Sequence, residues 1–267
     1  VSLKELAEIH RKVDVELEVF GHGAMCISWS GRCLLSNFFT NGRRQSNKGE
    51  CVQVCRFKYS VVEETRPGQY WPVEEDEHGT YIFNSKDLCM IDHVKDLIEA
   101  GAASLKIEGR MKSVYYVAAV VAAYRKAIDA YYEQGADYKP DWRWRAELEK
   151  VSHRPYTTAF AFQNPDYTAQ EYEKSQPVQS YDFVGLVQPG QGESGRVTVQ
   201  QRNHFTTGET LECLTPAGDV FNITVGRLFN QEGEEVDKAP HPLEILTMET
   251  EQTLPDYTIL RRPNHNG

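Results

Sequence analysis

Five of the six cysteines in this 267-residue chain lie in its first third, and their spacing limits what that region can become. Six residues separate Cys26 from Cys33, three separate Cys51 from Cys55, and Cys89 follows further on. The chain opens on a polar, helix-patterned stretch, which predicts no signal peptide and a cytoplasmic protein. Cysteines in that setting favour reduced thiols or metal ligands over disulfides. We therefore expect a ligand set carried on loops.

The cysteine region is preceded by a helix and a strand. Ser2 and Glu5 have the spacing of a capping box, which predicts a helix from Ser2 to His10. Apolar and acidic residues then alternate from Val13 to Val19, as in a strand. The glycines after this strand predict a turn near residues 21–24.

The next stretch alternates predicted strands and helices. Residues 67–83 predict a β-hairpin around an acidic turn. Ser85 is expected to cap a helix that runs to Ala100 and includes Cys89 in its first turn. A short buried strand is predicted at 103–107. A long helix is predicted at 113–134, with an inward face formed by Val117, Val120, Val121, Tyr124 and Ile128.

Alternating strands and helices are typical of parallel βα units, but only about three such strands are visible before residue 150. A closed (β/α)₈ barrel takes roughly 250 residues. After residue 180, short strands recur about every ten residues, which predicts a small β-barrel. The expected domains are a partial (β/α) barrel at 1–150, a linker at 151–179 and a small β-barrel domain at 180–267. The expected strands of the last domain are 183–187, 196–199, 210–214, 221–225 and 243–248.

Composition excludes some classes of function. The chain is 40% hydrophobic and 25% charged, as in ordinary globular proteins, and no apolar run is long enough to span a membrane. A net charge of −10 argues against general affinity for nucleic acid. A local basic patch nevertheless lies among the cysteines, where it is either a solvated loop or a grip for phosphate or carboxylate groups. Its members are Arg43, Arg44, Lys48, Arg56 and Lys58.

Several residues near the cysteines have side chains suited to chemistry. Thiolates from separate loops suit either zinc or an iron–sulfur cluster, and the spacing leaves both open. His22 and Glu18 are candidates for catalysis or substrate contact, although His22 fits a packing role equally well. Where the strand at 103–107 meets the next helix, we predict substrate contacts from Lys106, Glu108, Arg110 and Lys112. A salt bridge between Glu108 and Arg110 is the alternative. Cys213, on a later strand, is expected to be a buried apolar side chain.

Four stretches resemble the collagenase-like peptidases of family U32. They are Glu18-x-Phe20-x-x-Gly23-Ala24-Met25-Cys26-x-x-x-x-Gly31-x-Cys33-x-Leu35-Ser36, Gly49-Glu50-Cys51-x-x-x-Cys55-Arg56, Asn84-Ser85-Lys86-Asp87-Leu88-Cys89 and Lys106-Ile107-Glu108-Gly109-Arg110-Met111-Lys112. The resemblance implies the second half of a TIM-barrel-like (β/α) domain followed by a small C-terminal β-barrel. The other half of that barrel is then expected to be missing or to come from another chain.

The resemblance also implies a function and a cofactor. Members of this family take part in hydroxylation of RNA and ubiquinone, which implies formation of 5-hydroxyuridine at the tRNA wobble position with prephenate, a dicarboxylate, as cosubstrate. The implied cofactor is a 4Fe-4S cluster held by Cys26, Cys33, Cys51 and Cys89, with Cys55 as the alternate fourth ligand. Cys89 is preferred because a thiolate is stabilised at a helix N-terminus. The alternatives are a collagenase-like endopeptidase and a non-catalytic scaffold of a hydroxylation complex.

Overall fold

The structure is a computed structural model that describes residues 1–26, 33–56, 60–61, 65, 67–68, 71–72, 85–163, 178–190 and 195–264. Its α-helices are α1 Leu3–Lys12, α2 Leu35–Phe39, α3 Val94–Glu99, α4 Val114–Gln134 and α5 Trp142–Leu148. Short 3₁₀ helices span Ser46–Lys48, Val54–Arg56, Ile91–His93 and Gly135–Asp137. The first six strands are β1 Leu17–Ala24, β2 Ser60–Val61, β3 Trp71–Pro72, β4 Asp87–Cys89, β5 Ala102–Ile107 and β6 Tyr156–Thr157.

The remaining strands all follow residue 180. They are β7 Tyr181–Val187, β8 Arg196–Gln201, β9 Phe205–Thr206, β10 Thr210–Leu214, β11 Val220–Thr224, β12 Leu228–Phe229, β13 Glu235–Val236, β14 Lys238–Ala239, β15 Ile245–Glu249 and β16 Ile259–Pro263. The five strands predicted in this region are confirmed, because alternating apolar residues mark strands buried on one face. Among the described residues, no helix combines the length and apolar character needed to cross a membrane.

The chain divides into two compact units. Unit 1 comprises Val1–Met90, Asp96–Met111 and His153–Pro177, and unit 2 comprises Ile91–Lys95, Lys112–Ser152 and Val178–Gly267. Unit 1 therefore contains five of the cysteines, and unit 2 contains α4, α5 and the C-terminal strands.

Unit 1 is built on a four-stranded sheet with the order β5-β1-β4-β6. The expected parallel pairing is confirmed for β1 with β5. β4 and β6, where no strands were predicted, also pair in parallel, whereas β1 and β4 run antiparallel. The sheet is therefore mixed. α1 begins at the capping box of Ser2 and Glu5, as predicted, and Leu3 donates its backbone N–H to Ala161. A small apolar core, with Leu88, Met90 and Leu97 at its centre, packs beside this sheet.

Two predictions at the start of unit 1 are wrong. The strand starts at Leu17, because Val13 caps the end of α1 and Val15 is exposed. The glycine-rich turn is instead the second half of β1, and the stretch from Gly21 to Gly23 is buried. Glycine is required there: Gly23 has φ 116°, and a Cβ would lie 2.3 Å from the Glu108 carbonyl oxygen.

The predicted helix from Ser85 to Ala100 is also partly wrong. Its first turn is β4, and the α-helix itself covers only Val94–Glu99. Cys89 therefore does not lie at a helix N-terminus, and that reason for preferring it as a ligand is lost. β5 was predicted to be buried, but Ala103, Ser104 and Lys106 are exposed.

Unit 2 contains an eight-stranded antiparallel sheet with the order β11-β10-β16-β7-β8-β15-β12-β13. Leu211 and Ile223, near one end of this order, share a core with Leu228 and Met248, near the other. The sheet must therefore curl strongly. No backbone pairing between described residues joins β11 to β13, so the sheet is open and the predicted closed barrel is not confirmed.

The helices of unit 2 pack through small residues and tyrosines. α4 begins at Ser113, whose hydroxyl accepts the Tyr116 N–H, and ends at Gly135, as predicted. Its predicted inward face is partly wrong, since Val117 and Val121 are exposed. Val120 and Tyr124 are buried as predicted, and Ile128 is half-buried. The side chains that share the buried face with them are Tyr115, Tyr116, Ala119, Ala123 and Ala127.

A buried ion network joins α5 to the sheet in unit 2. The Arg261 guanidinium is fully buried and donates to Glu212 at 2.7 Å and to Glu147 at 2.5 Å. Lys150 contacts the same two carboxylates. Tyr115 lies beside the guanidinium, and burial raises the pKa of its hydroxyl above the ordinary range. Charges paired this completely hold structure rather than bind ligands.

Two predicted segments lie partly or largely outside the described residues. In the predicted hairpin, only Trp71–Pro72 and a few single positions are described, and this pair of residues bonds to Ser60–Val61. The segment 151–179 is described at residues 151–163 and 178–179. That part includes β6, whose partner is β4, and the buried residues His153 and Arg154.

Candidate functional site

A cavity of about 680 Å³ lies within unit 1, at the end of β1. We call it the thiol cavity. Its apolar wall comes from α1, β1 and residues 158–161, and its polar wall comes from the loop 46–55 and the turn 108–111. The polar and ionisable side chains around it are Ser2, Glu18, His22, Cys26, Ser46, Cys51, Gln53, Cys55, Glu108, Arg110 and Thr158. Cavities of this size, mostly apolar with a few polar groups, are typical ligand sites.

Three of the predicted ligand cysteines line the thiol cavity: Cys26, Cys51 and Cys55. Cys33 and Cys89 do not line it. Cys89 is almost fully buried in β4, where it pairs with His22 of β1. Of the two candidates for fourth ligand, Cys55 is therefore the one that shares a cavity with Cys26 and Cys51.

The loop that carries Cys51 is held by hydrogen bonds that the sequence did not reveal. The buried Ser36 hydroxyl, on α2, accepts the Val52 N–H at 3.1 Å. The Gln53 N–H donates to the Cys51 sulfur at 3.4 Å. An N–H donor to sulfur stabilises negative charge on a thiolate, as a metal ligand requires. α2 also packs against the 3₁₀ helix that carries Cys55.

The donor set can be tested against the implied cluster. All six cysteines are thiols and none forms a disulfide. The residue types suit iron and zinc alike, and three of them share one cavity. Within the ranges that the structure describes, however, no three cysteine, histidine or acidic side chains are close enough together to hold a metal ion. The chemistry of the donors fits a cluster, whereas their arrangement does not form a complete ligand group.

His22 lines the cavity, and its side chain is buried in a group of aromatic rings. Its ring lies 5.4 Å from the Tyr156 ring, which stacks on His153 at 4.4 Å. Asp87 holds the segment that carries these rings, because its carboxylate accepts the Arg154 N–H at 3.0 Å. Residues 153–156 had no predicted role, and the structure shows that they position the surroundings of His22.

The acidic side chains of the cavity have partners that differ from those considered in the sequence. Glu18 lies near the start of β1, and its carboxylate accepts the Ser104 hydroxyl at 3.2 Å. Glu108 accepts the backbone N–H of Arg110 at 3.1 Å. No carboxylate in the described ranges forms an ion pair with the Arg110 guanidinium, so the salt bridge considered above is absent there. Arg110 is therefore a cation available to a ligand of the cavity.

The other predicted substrate contacts lie elsewhere. Lys106 lies over the Phe20 ring, with its Nζ 5.0 Å from the ring centroid. Lys112 belongs to unit 2 and donates to the Ser152 carbonyl at 2.7 Å. Arg43 and Arg44 line a second cavity of about 460 Å³ in unit 1. The Arg56 side chain lies outside the described part of the chain.

Comparison with known proteins places the chain in a family. The sequence profile of Peptidase family U32 matches residues 1–171, and that of the Peptidase family U32 C-terminal domain matches residues 179–261. The chain belongs to peptidase family U32. The thiol cavity lies within the first of the two matched regions, and the eight-stranded sheet lies within the second, apart from the end of β16.

Curated relatives in peptidase family U32 carry names that refer to RNA hydroxylation. The chain is 39% identical to tRNA hydroxylation protein P1 of Bacillus subtilis (strain 168), over 98% of this chain and 61% of that protein. It is 38% identical to tRNA hydroxylation protein P of Escherichia coli (strain K12), over 90% and 60%. It is 34% identical to the 23S rRNA 5-hydroxycytidine C2501 synthase of the same strain, over 85% and 32%. The chain thus spans about three fifths of the length of the first two.

Proposed function

We propose that this protein acts in RNA hydroxylation as an enzyme, and that its substrate is the wobble uridine of tRNA. The observation that carries the proposal is the thiol cavity, whose lining includes Cys26, Cys51, Cys55 and the cation Arg110. An oxidation that uses a carboxylate cosubstrate needs ligands for a redox cofactor, here the cysteine thiols, and a cation that binds the carboxylate, here Arg110. The names of relatives matched over nine tenths or more of this chain support the same reaction class.

The proposed cofactor is a 4Fe-4S cluster at the thiol cavity. Cys26 and Cys51 would hold it together with Cys33, which does not line the cavity but belongs to the ligand set that the family resemblance implies. Cys55 is preferred over Cys89 as the fourth ligand because Cys55 lines the cavity and Cys89 does not. A bound cluster would supply one-electron transfer. Zinc is the alternative metal for the same thiols.

The chain's own residues would bind and orient the cosubstrate. Arg110 would grip one carboxylate of a prephenate-like dicarboxylate through two parallel N–H donors. The apolar wall formed by Leu3, Leu6 and Ile9 would exclude water from the ring of the same molecule. The partial (β/α) barrel implied by the resemblance, completed by a further segment or chain, belongs to this proposal.

The decisive experiment analyses nucleosides of tRNA from a strain that lacks the gene. Loss of 5-hydroxyuridine derivatives, restored by the wild-type gene but not by one encoding Cys51→Ala, is the expected result. Unchanged derivatives would refute the tRNA substrate. Gelatin cleavage by the purified protein, with tRNA unaffected, would point instead to the endopeptidase that the family name suggests.

The cofactor is tested separately, on protein purified without oxygen. Wild type is expected to contain iron and to absorb in the visible range. Cys55→Ala is expected to lose iron, whereas Cys89→Ala retains it. The opposite pattern would restore Cys89 as the fourth ligand, and zinc in place of iron would exclude the cluster.

A further inference from the structure

A surface on unit 1, separate from the lining of the thiol cavity, combines exposed aromatic rings with arginines. Phe38 and Phe39, at the end of α2, are 75% and 49% exposed. Their rings meet edge to face with centroids 5.5 Å apart. Arg43 and Arg44 are also exposed and, with Phe39, line the cavity of about 460 Å³. We call these four residues the Phe–Arg surface.

The chain turn between the rings and the arginines is well defined. Asn41 and Gly42 have positive φ values of 51° and 80°, which reverse the chain after α2. The Gly42 N–H donates to the Asn37 carbonyl at 2.8 Å. The Thr40 hydroxyl accepts the Arg44 N–H at 3.0 Å and donates to the Ser36 carbonyl at 2.6 Å. These bonds hold both arginines beside the rings.

The charge of this surface is not neutralised locally. In the described ranges, no carboxylate forms an ion pair with Arg43 or Arg44. The nearest acidic residue in sequence is Glu50, and its carboxylate accepts the Gln45 backbone N–H at 3.0 Å. Lys48 adds a third exposed cation. On a chain with net charge −10, a local group of exposed cations selects an anionic partner.

We infer that the Phe–Arg surface binds single-stranded RNA. Exposed aromatic rings stack on unpaired bases, and adjacent arginines neutralise the phosphates that connect those bases. Bases in a duplex are already stacked on each other, so a loop fits this surface better than a helix. The inference rests on the proposed function, because it names the surface on which an RNA substrate is held.

The experiment measures binding of a fluorescein-labelled twelve-nucleotide RNA by anisotropy, as a function of salt. Two double variants test the two components: Arg43→Gln with Arg44→Gln, and Phe38→Ala with Phe39→Ala. A matched control exists in unit 2, where Trp142 is 75% exposed beside Arg143, and the Arg143 guanidinium is paired with Asp141. Trp142→Ala with Arg143→Gln therefore removes an exposed aromatic ring and an arginine from a site where the arginine is already paired.

The arginine variant is expected to bind the RNA about tenfold more weakly and to reduce the salt slope by about 1.4, or 0.7 for each phosphate contact. The phenylalanine variant is expected to lose about 5- to 150-fold in affinity with an unchanged salt slope, because stacking is not ionic. The control and the circular dichroism spectra of all variants are expected to match wild type. A duplex of the same sequence is expected to bind more weakly than the single strand.

Several results would overturn the inference. One is wild-type affinity in both double variants. Another is the absence of RNA binding by the wild-type protein. If the deletion strain nevertheless lacks 5-hydroxyuridine, the proposed function stands and only the inference about the surface fails. Altered sedimentation of the arginine variant with unchanged RNA affinity would assign the surface to a second copy of the chain. Specific loss of RNA binding in the variants, together with unchanged levels of 5-hydroxyuridine derivatives in the deletion strain, would support the surface and refute the proposed reaction.

Discussion

In unit 2 the fully buried Arg261 faces two carboxylates, whereas in unit 1 the arginines at 43, 44 and 110 form no ion pair with any carboxylate of the described ranges. The cysteines of the two units differ in burial. Cys213 is sealed in the core of the C-terminal sheet, and burial, together with the charge of Glu212, raises the pKa of its thiol to about 12. Cys26 is exposed and lines a cavity.

This difference separates groups that hold the fold from groups that are available for binding. In a buried ion network, every charge is already paired within the protein, so none is available to a ligand. Removing one member leaves an uncompensated buried charge. Cations and thiols around a cavity contribute little to stability and can bind partners. The same residue types therefore have different functions in the two units, and substitutions can test whether the distinction holds.

The largest effect is expected for Arg261→Met. Glu147 and Glu212 would keep their charges with only Lys150 as partner, so the free energy of unfolding should fall by about 3–5 kcal/mol. Urea unfolding followed by circular dichroism measures it. The control is Arg125→Ala, which removes an exposed pair with Asp129 on α4 and should cost about 0.3–0.5 kcal/mol. Equal losses of free energy of unfolding in the two variants would show that the buried network stabilises the fold no more than an exposed ion pair does.

The next effect is expected in unit 1 for Gly23→Ala. The new Cβ would lie 2.3 Å from the Glu108 carbonyl oxygen at a φ that alanine disfavours, so we expect a loss of at least about 3 kcal/mol. Gly49→Ala is the control, because Gly49 also has positive φ but no heavy atom within 4 Å of the added carbon. Its cost should be about 1 kcal/mol. A tolerated Gly23→Ala would mean that β1 and the 108–111 turn are not packed as described.

A smaller free-energy effect, on activity rather than stability, is expected for Arg110→Gln. In the proposed reaction, loss of a charged hydrogen bond to the carboxylate of the proposed cosubstrate should lower kcat/KM about 10- to 150-fold. The free energy of unfolding should change by less than about 0.5 kcal/mol. Arg110→Lys should recover only part of the activity, because lysine lacks the bidentate fork. Arg11→Gln, on α1, serves as the control, and equal losses in it and Arg110→Gln would exclude a specific grip.

The smallest effect on stability is expected from the two contrasting thiols. Cys213→Ala should cost about 1 kcal/mol through lost packing and leave iron content unchanged, whereas Cys26→Ala should lower iron content with little change in unfolding.

The pH dependence of the free energy of unfolding provides a further test of Cys213. Above a pH of about 8.5 the unfolded chain ionises Cys213 while the folded chain keeps it protonated up to about 12, so the wild-type free energy of unfolding should fall as pH rises. Cys213→Ala should lack that contribution. An identical pH profile in both would contradict the raised pKa.

The sequence predicted elements whose signals are local. The capping box of α1, the serine and glycine that bound α4, and the alternation of the C-terminal strands are all confirmed. It failed where an apolar run fits two structures. Leu88 and Ile91 have the spacing of one helical stripe, yet Leu88 belongs to β4, because pairing with β1 outweighs helix propensity. The face of α4 was misjudged in part, because alanines and tyrosines complete the buried face with Val120, while Val117 and Val121 are exposed.

The candidate site was predictable in its residues but less so in its arrangement. Strand ends and family motifs pointed to His22, Cys26, Cys51 and Arg110, and all of them line one cavity. The choice between Cys55 and Cys89 depends on the path of the loop 46–55. That path is set by the bond between Ser36 and Val52, which joins residues 16 positions apart. No local pattern encodes such a contact, and the assignment of ligands remains a prediction.

His22 is the position at which β1 pairs on both sides, with Ile107 of β5 and Cys89 of β4. Backbone amides around it can exchange with deuterium only when the sheet itself opens. The Val52 amide, held by a single serine hydroxyl, needs only a local opening. We therefore expect the amides of β1 that wall the thiol cavity to exchange more slowly than the Val52 amide in the loop 46–55.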